Sequence, residues 1–443
     1  MQRRDLLKAM IAAGLLPTAA GFGRPARAES TRYEGPIYFT VFAEGGWDVT
    51  SLCDPKAGTR QNPNTGESVW INTWAEQGGT VQTSNSGLNY APFADNARLF
   101  DTLGDRMLVI NGIDAQTNAH SAGVRHTFSG RFADGYPALT ALAAAQHGQG
   151  LPLAFLSNGG YRETAGLTQF TLMQDPNALR DLIDPNRFHP SWIDTRFHRA
   201  DSLDLIEQAR QARMDRLQAR TALTRRLTQA AGFLESSRAG RDQLAALNDY
   251  MPEELAPTTD VDGNWHPLLR QIQLALVSAA AGLTVSADLV QWGFDTHATH
   301  DVDQGRALTQ LTDGLVYLWE EAARMDQQFG TNLVGRLRVV VASDFGRTPW
   351  YNDGEGKDHW PLGSAILMRD GGFSTNRVGG TTDAFESLGL NSDLSLNPDP
   401  NDSSAGIILP AHLQQLLRYW AGVEEFNADF PLETGGLDLR TLV

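Results

Sequence analysis

Short, nearly continuous apolar runs alternate along this chain with longer stretches of helical periodicity. The run "IYFTVF" predicts a strand from Ile37 to Phe42, and "MLVIN" a second from Met107 to Asn111. "LPLAFLSNGG" gives a third short apolar run, "TVSADLVQWG" a strand that leads to Asp295, and "LRVVVAS" a strand that leads to Asp344. Between them, "HPLLRQIQLALVSAAAGL" predicts a buried helix, "ALTQLTDGLVYLWEEAARM" an amphipathic one, and "HLQQLLRYWAGV" a closing helix; another begins near Ser121. Strands without polar alternation are buried on both faces. Their alternation with helices predicts an α/β fold with a mostly parallel central sheet covered by helices on both sides.

Residues 178 to 256 change character. "SLDLIEQARQARMDRLQARTALTRRLTQAAGFLESS" places apolar residues at helical spacing with Arg and Gln between them. The spacing predicts a long helix or helical hairpin, a solvated insertion at about 195–260 on the outside of the main fold. The remainder of 29–443 reads as one domain, a length compatible with a single large α/β core.

The amino terminus stands apart. Arg3-Arg4 in "QRRDLLKAM" precedes the weakly apolar "IAAGLLPTAAGF", and Ala26 and Ala28 offer small residues for signal peptidase. The apolar part is too short and weak for a membrane-spanning helix. Residues 1–28 are expected to be a twin-arginine (Tat) export signal, with the Tat translocase and signal peptidase as transient partners and a periplasmic or secreted product. An ordinary signal with a chance arginine pair is the alternative. The whole chain carries −16; five basic residues against one acid give the first 28 residues +4, leaving about −20 for the rest. Such a surface repels phosphate backbones and argues against a nucleic-acid partner. Cys53 is the single cysteine, so no disulfide forms within the chain.

Four strand-like runs end on polar clusters. The first ends "GGWD" with Asp48. The second leads into "TNAHS", with Thr117, Asn118, His120 and Ser121. "WGFDTHATH" brings Asp295, His297 and His300. "SDFGR" brings Asp344 and Arg347, and its loop returns with Asp358-His359. Any one acid has an ordinary role as a turn or cap residue. Carboxylates and imidazoles gathered at several strand tips, in a fold that collects its chemistry at the carboxyl edge of the sheet, point to an oxygen/nitrogen metal site. A divalent ion would also relieve the repulsion among Asp48, Asp295 and Asp344. Asp358 reads as the partner that orients His359. Arg347 is expected to hold an ester oxyanion, with a salt bridge to one of the acids as the alternative. Trp47, Trp292, Trp350 and Trp360 adjoin these motifs. One or two of them facing a substrate would favour a sugar or aromatic leaving group.

"RRDLLK", "GGWD", "NAHSAG…SGR", "FDTHATH", "SDFGR…GKDHWP" and "VGGTTDAF", in this order, resemble a secreted bacterial family called domain of unknown function 1501, within the alkaline phosphatase/sulfatase superfamily. The resemblance implies a three-layer α/β/α sandwich of the alkaline-phosphatase kind and a metal centre where a phosphate or sulfate ester binds. It implies Asp48, Asp295, His297 or His300, Asp344 and His359 as ligands of zinc, manganese or calcium. The nucleophile slot falls in "TNAHS", leaving Thr117 and Ser121 open, with His120 as a metal ligand or a phosphohistidine-type nucleophile instead. Phe345 stands where the superfamily carries His or Asn, and the Cys-x-Pro-Ser-Arg stretch of sulfatases is missing. Two readings follow: an exported metal-dependent hydrolase of phosphate or sulfate esters, or a catalytically silent periplasmic binding or envelope assembly protein.

Overall fold

The computed structural model describes residues 32–173, 186, 196–219 and 241–443. The expected export signal and part of the expected helical insertion lie outside them. Within the described part, Tyr33–Val443 forms one compact unit.

Its centre is an eight-stranded sheet: β1 (Ile37–Ala43), β2 (Met107–Asp114), β3 (Phe155–Ser157), β4 (Phe170–Leu172), β5 (Ser286–Gln291), β6 (Leu337–Ser343), β7 (Leu362–Arg369) and β8 (Arg377–Gly379). The spatial order is β8-β2-β7-β6-β1-β5-β3-β4. β1 pairs in parallel with β5 and β6, β3 with β4 and β5, and β8 with β2, while β7 runs antiparallel to both β6 and β2. The fold is therefore the expected α/β type with a mostly parallel sheet, and β7 is the one reversed strand in it.

The double-sided burial is visible residue by residue. Ile37, Phe39, Val41 and Ala43 of β1, with Leu337, Val339 and Val341 of β6, pack into one core beneath helices Leu268–Ala280 and His300–Phe329. Tyr38 and Phe42, with Val340 and Ala342, point the other way, into a second core with residues of helices His120–Ser129, Leu139–His147 and Pro410–Trp420. The period of two along each strand thus feeds two helical layers, giving a three-layer α/β/α sandwich. Within the insertion, Ala200–Gln218 is helical as its spacing predicts. No described helix is long and apolar enough to cross a membrane.

One buried acid belongs to the core. Asp288 on β5 accepts the Thr140 hydroxyl at 2.8 Å, while its other oxygen finds no protein partner. Asp288 lines a cavity of about 10 Å³ with Thr40, Thr140 and Gln414, room for a single water. Burial pushes the Asp288 carboxyl well above its ordinary range, against smaller opposing effects of Thr140 and Arg162. The folded state then holds a proton that the unfolded chain releases near pH 4. This stabilises the fold below the unfolded value, and stability declines as pH rises toward the folded one. The expected contribution is as much as about 1.4 kcal/mol per pH unit. Urea melts of wild type and Asp288→Asn from pH 5 to 8 read it. The wild type should lose stability relative to the variant as pH rises, and a constant difference would refute the protonated state.

Candidate metal centre

All strands except β7 run in one direction, so their carboxyl ends share one edge. β1 ends into Glu44 and the Gly45-Gly46 turn, both glycines at positive φ. A Cβ on Gly45 would lie 2.4 Å from the Asp295 amide nitrogen, so only glycine lets these two strand ends meet. β2 leads through Thr117 to His120, the first residue of helix His120–Ser129, and β5 leads to Asp295. Asp344 follows directly on β6. His359 arrives differently: Gly346–Arg347 pairs with His359–Trp360 in a small antiparallel ribbon, and β7 starts two residues later. Because β7 is reversed, it begins at the edge where its neighbours end. That reversal delivers His359 to the site.

Three imidazoles converge there with one orientation. His120 Nδ1 lies 2.5 Å from Asp344 Oδ2, His297 Nδ1 lies 2.8 Å from Asp358 Oδ1, and His359 Nδ1 lies 2.7 Å from the Asn118 carbonyl. Each partner is an acceptor, so each Nδ1 carries the proton and each Nε2 of a neutral ring presents a lone pair. Asp295 Oδ1 stands 3.5 Å from His120 Nε2, 3.1 Å from His297 Nε2 and 3.3 Å from His359 Nε2. The Nε2 atoms of His297 and His359 face each other at 2.9 Å, and His120 Nε2 is buried without a hydrogen-bond partner. Lone pairs opposed at that distance repel unless a cation lies between them. Ligands about 2.0–2.1 Å from a tetrahedral zinc stand roughly 3.3 Å apart, close to the separations seen here. His120, Asp295 and His359 offer ligand atoms within 4.8 Å of one another, and His297 adjoins through Asp295 and His359. The residues fit a divalent metal.

The electrostatics agree. Its hydrogen bond to Asp344 raises His120 above the ordinary imidazole range, against burial, which makes it a stronger donor. Burial lowers His359, and its bond to the Asn118 carbonyl only partly offsets this. Burial would raise Asp295, but Arg347, joined by His359 and His120, outweighs it and holds the carboxyl below its usual range. Glu44, at the same edge, is raised by burial and then by the charge of Asp344.

A second cluster lies beside the first and is closed. Asp48 is fully buried and caps the short helical turn Val49–Ser51 through the Thr50 amide at 2.9 Å. Its carboxylate also accepts Thr50 Oγ1 at 2.6 Å, His300 Nε2 at 3.0 Å and Lys357 Nζ at 2.7 Å. Lys357, equally buried, donates to Asn72 Oδ1 at 2.7 Å, and His300 Nδ1 meets the Thr296 hydroxyl at 2.7 Å. Burial alone would raise Asp48; the Lys357 ammonium and the His300 bond overcome it and hold the carboxyl far below its usual range. The positive charge that Asp48 requires is supplied by the chain itself.

Residues 39–395 match the family described as protein of unknown function (DUF1501). The chain belongs to that family. No curated protein matches it. Among solved structures, it is similar to Ps i-CgsB in complex with k-i-k-neocarrahexaose, at 9% identity and a TM-score of 0.39, covering 90% of this chain and 75% of that one. It is also similar to the phosphonate monoester hydrolase SpPMH from Silicibacter pomeroyi, at 12% identity, TM-score 0.33 and coverage of 92% and 76%. The alkaline phosphatase from the Antarctic bacterium TAB5 matches at 11% identity, TM-score 0.31 and coverage of 76% and 92%.

For this DUF1501 chain, the structure sorts the residues singled out from sequence into groups. Asp295, His297 and His359 come together, and His120 lies with them. Asp344 does not face the centre; it orients His120, and Ser343 Oγ sits 2.8 Å from its other oxygen. Asp48 and His300 bond to each other, and Lys357 takes the place beside Asp48 expected of a metal. Asp358 orients His297 and not His359, because the ribbon turns the His359 ring toward Asn118. Arg347 is fully buried and donates to the carbonyls of Gly45, Gly46 and Lys357 and to Asp295 at 2.7 Å. It takes the salt-bridge alternative, since its donors are engaged within the protein. Ser121 is exposed in the first turn of its helix, and the Thr117 hydroxyl accepts the Ala119 amide at 3.2 Å. Lys357 and Asn72 were not foreseen. The signal for Lys357 was its place next to Asp358-His359; a loop reading "GEGKDH" otherwise looks solvated.

Proposed function

We propose that this chain is an exported, metal-dependent hydrolase of phosphate or sulfate esters, of the alkaline phosphatase/sulfatase kind. One observation carries the reading: three Nε2 lone pairs and the Asp295 carboxylate converge at the carboxyl edge of a mostly parallel sheet, where open α/β folds hold their ligands. His120, Asp295, His297 and His359 would hold the ion. A donor set dominated by imidazole suits zinc better than calcium or manganese. Bound there, a divalent ion supplies a Lewis acid for an ester oxygen. Asp344, Asp358 and the Asn118 carbonyl fix the rings so that their lone pairs point inward. Of the three residues open as nucleophile, His120 has both nitrogens committed, which leaves Ser121 as the exposed hydroxyl beside it and Thr117 as the alternative. Export through the Tat translocase, followed by signal peptidase cleavage, would put the protein in the periplasm or outside the cell.

One observation favours the silent binding or envelope assembly protein instead: Arg347 is buried among carbonyls and Asp295, and so is withheld from an oxyanion. A single experiment separates the readings. Purified wild type, Ser121→Ala and Thr117→Ala are analysed for metal and assayed with aryl phosphate and aryl sulfate. Hydrolysis by metal-loaded wild type, lost on removing one hydroxyl while the metal stays, is the expected result. Full metal with no turnover of either ester selects the binding protein.

A further inference from the structure

A tryptophan that the motifs did not single out stands exposed near this edge. Trp265 is 61% exposed, yet it is firmly held. It closes the loop 260–264, in which Asp260 accepts the Asn264 amide at 2.8 Å and the Asp262 amide at 3.0 Å. Asp260 is tied to the helix His300–Phe329 through Gln310 Nε2 at 2.8 Å. Gln310 accepts Gln291 Nε2 at 2.8 Å, and Gln291 donates to the Trp292 carbonyl at 2.9 Å. Both glutamines are buried. A buried polar chain therefore locks the Trp265 loop onto the end of β5, although nothing in the core requires that indole.

The Trp265 ring lies 4.7 Å from that of Trp292, tilted by 37°. Trp292 is half-buried, and its side chain lies close enough to the Glu44 carboxyl to hold it down slightly against burial. Trp292 precedes Asp295 by three residues, a chain reach of at most roughly 11 Å. Glu44 is joined to the same stretch, since its carbonyl accepts the Phe294 amide at 3.1 Å. Two indoles and a carboxylate thus gather at the strand end that leads to Asp295.

We propose that Trp265, Trp292 and Glu44 bind the pyranose ring of a sugar ester whose phosphate or sulfate lies at the His120–Asp295–His359 cluster. A pyranose presents C–H bonds to an aromatic face and hydroxyl donors to a carboxylate. A plain aryl group gives Glu44 nothing to accept. The proposal rests on the ester-binding reading for where the charged group goes, but the ring site itself needs no metal.

The test uses wild type, Trp265→Ala and Glu44→Gln, each first analysed for metal and melting temperature. Ligands are methyl glycosides of glucose, galactose and mannose, the corresponding sugar 6-phosphates, phenyl phosphate, phosphocholine and inorganic phosphate, read by tryptophan fluorescence and calorimetry. At least one methyl glycoside and its phosphate should bind, and Trp265→Ala should weaken both roughly tenfold while inorganic phosphate is unaffected. Glu44→Gln should weaken the glycoside and leave phenyl phosphate unchanged. Failure of every glycoside to bind, or equal weakening of sugar phosphate and phenyl phosphate by Trp265→Ala, overturns the proposal. So does a Trp265-dependent preference for phosphocholine, which would mark a cation site. A wild type that binds a glycoside but neither phosphate nor metal sustains the ring site and sinks only the ester reading.

Discussion

Lys357→Met is expected to lower the stability of the folded chain by about 3–5 kcal/mol. The ammonium lies at 0% exposure, 2.7 Å from Asp48 Oδ2 and 2.7 Å from Asn72 Oδ1. Removing it leaves an ionised carboxylate in the interior with only neutral donors: the Thr50 amide, two hydroxyls and His300. Burial, the largest influence on His300, opposes that ring taking a proton in its place. The loss also depends on pH. Asp48 is depressed in the folded state, so the wild-type pair stabilises the fold above the unfolded carboxyl value near 4 and loses that stabilisation as pH falls through the folded one. Acid should therefore narrow the gap between wild type and Lys357→Met. Adding Asp48→Asn to Lys357→Met removes the stranded charge and should recover much of the stability at neutral pH. Urea melts of the three variants with wild type at pH 4 and 7 decide it. A single variant as stable as wild type, or a double variant worse than the single, would contradict a charge pair that neutralises itself.

That pair shows where reading the sequence stopped. β1, β5 and β6 were legible because strands buried on both faces have no polar alternation, and their polar tips then had to share one edge. β7 was not read. "LGSAILMR" is as apolar as its neighbours, but nothing in its composition reports direction, and it follows the preceding motif with almost no linker. Missing β7 also hid why His359 reaches the site. The imidazoles and Asp295 were legible as a group because each closes a strand or opens the next element. Their internal arrangement was not, since which ring nitrogen an acid holds depends on loop geometry. Asp358 is adjacent to His359 in sequence yet binds His297. A like-charge argument put Asp48 with Asp295 and Asp344 around one ion. It was sound about the need for a cation and missed that a lysine 309 residues away supplies one. Trp265 escaped notice because it adjoins none of the strand-tip motifs.

His359→Ala should have opposite effects on stability with and without metal. In metal-free protein, His359 Nε2 opposes His297 Nε2 at 2.9 Å while both Nδ1 protons are held elsewhere. Deleting the ring removes that repulsion, and the ring is only half-buried, so the metal-free variant should melt no lower than metal-free wild type. With zinc the order should invert. A ligand bound only by the folded state stabilises by about 4 kcal/mol at a thousand times its Kd, and the variant, short of one donor, should gain little of this. Asp344→Asn and Asp358→Asn keep every ligand and disturb only the bonds that orient His120 and His297. Their zinc affinity should fall by roughly 10–100-fold, with metal still bound at saturation. Zinc titrations followed by thermal melts, with metal stoichiometry from elemental analysis, measure all four proteins on one scale. If His359→Ala destabilises equally with and without zinc, the ring is packing and the centre is not a metal site. If Asp344→Asn loses metal as completely as His359→Ala, Asp344 is itself a ligand and the arrangement around His120 is different from the one described.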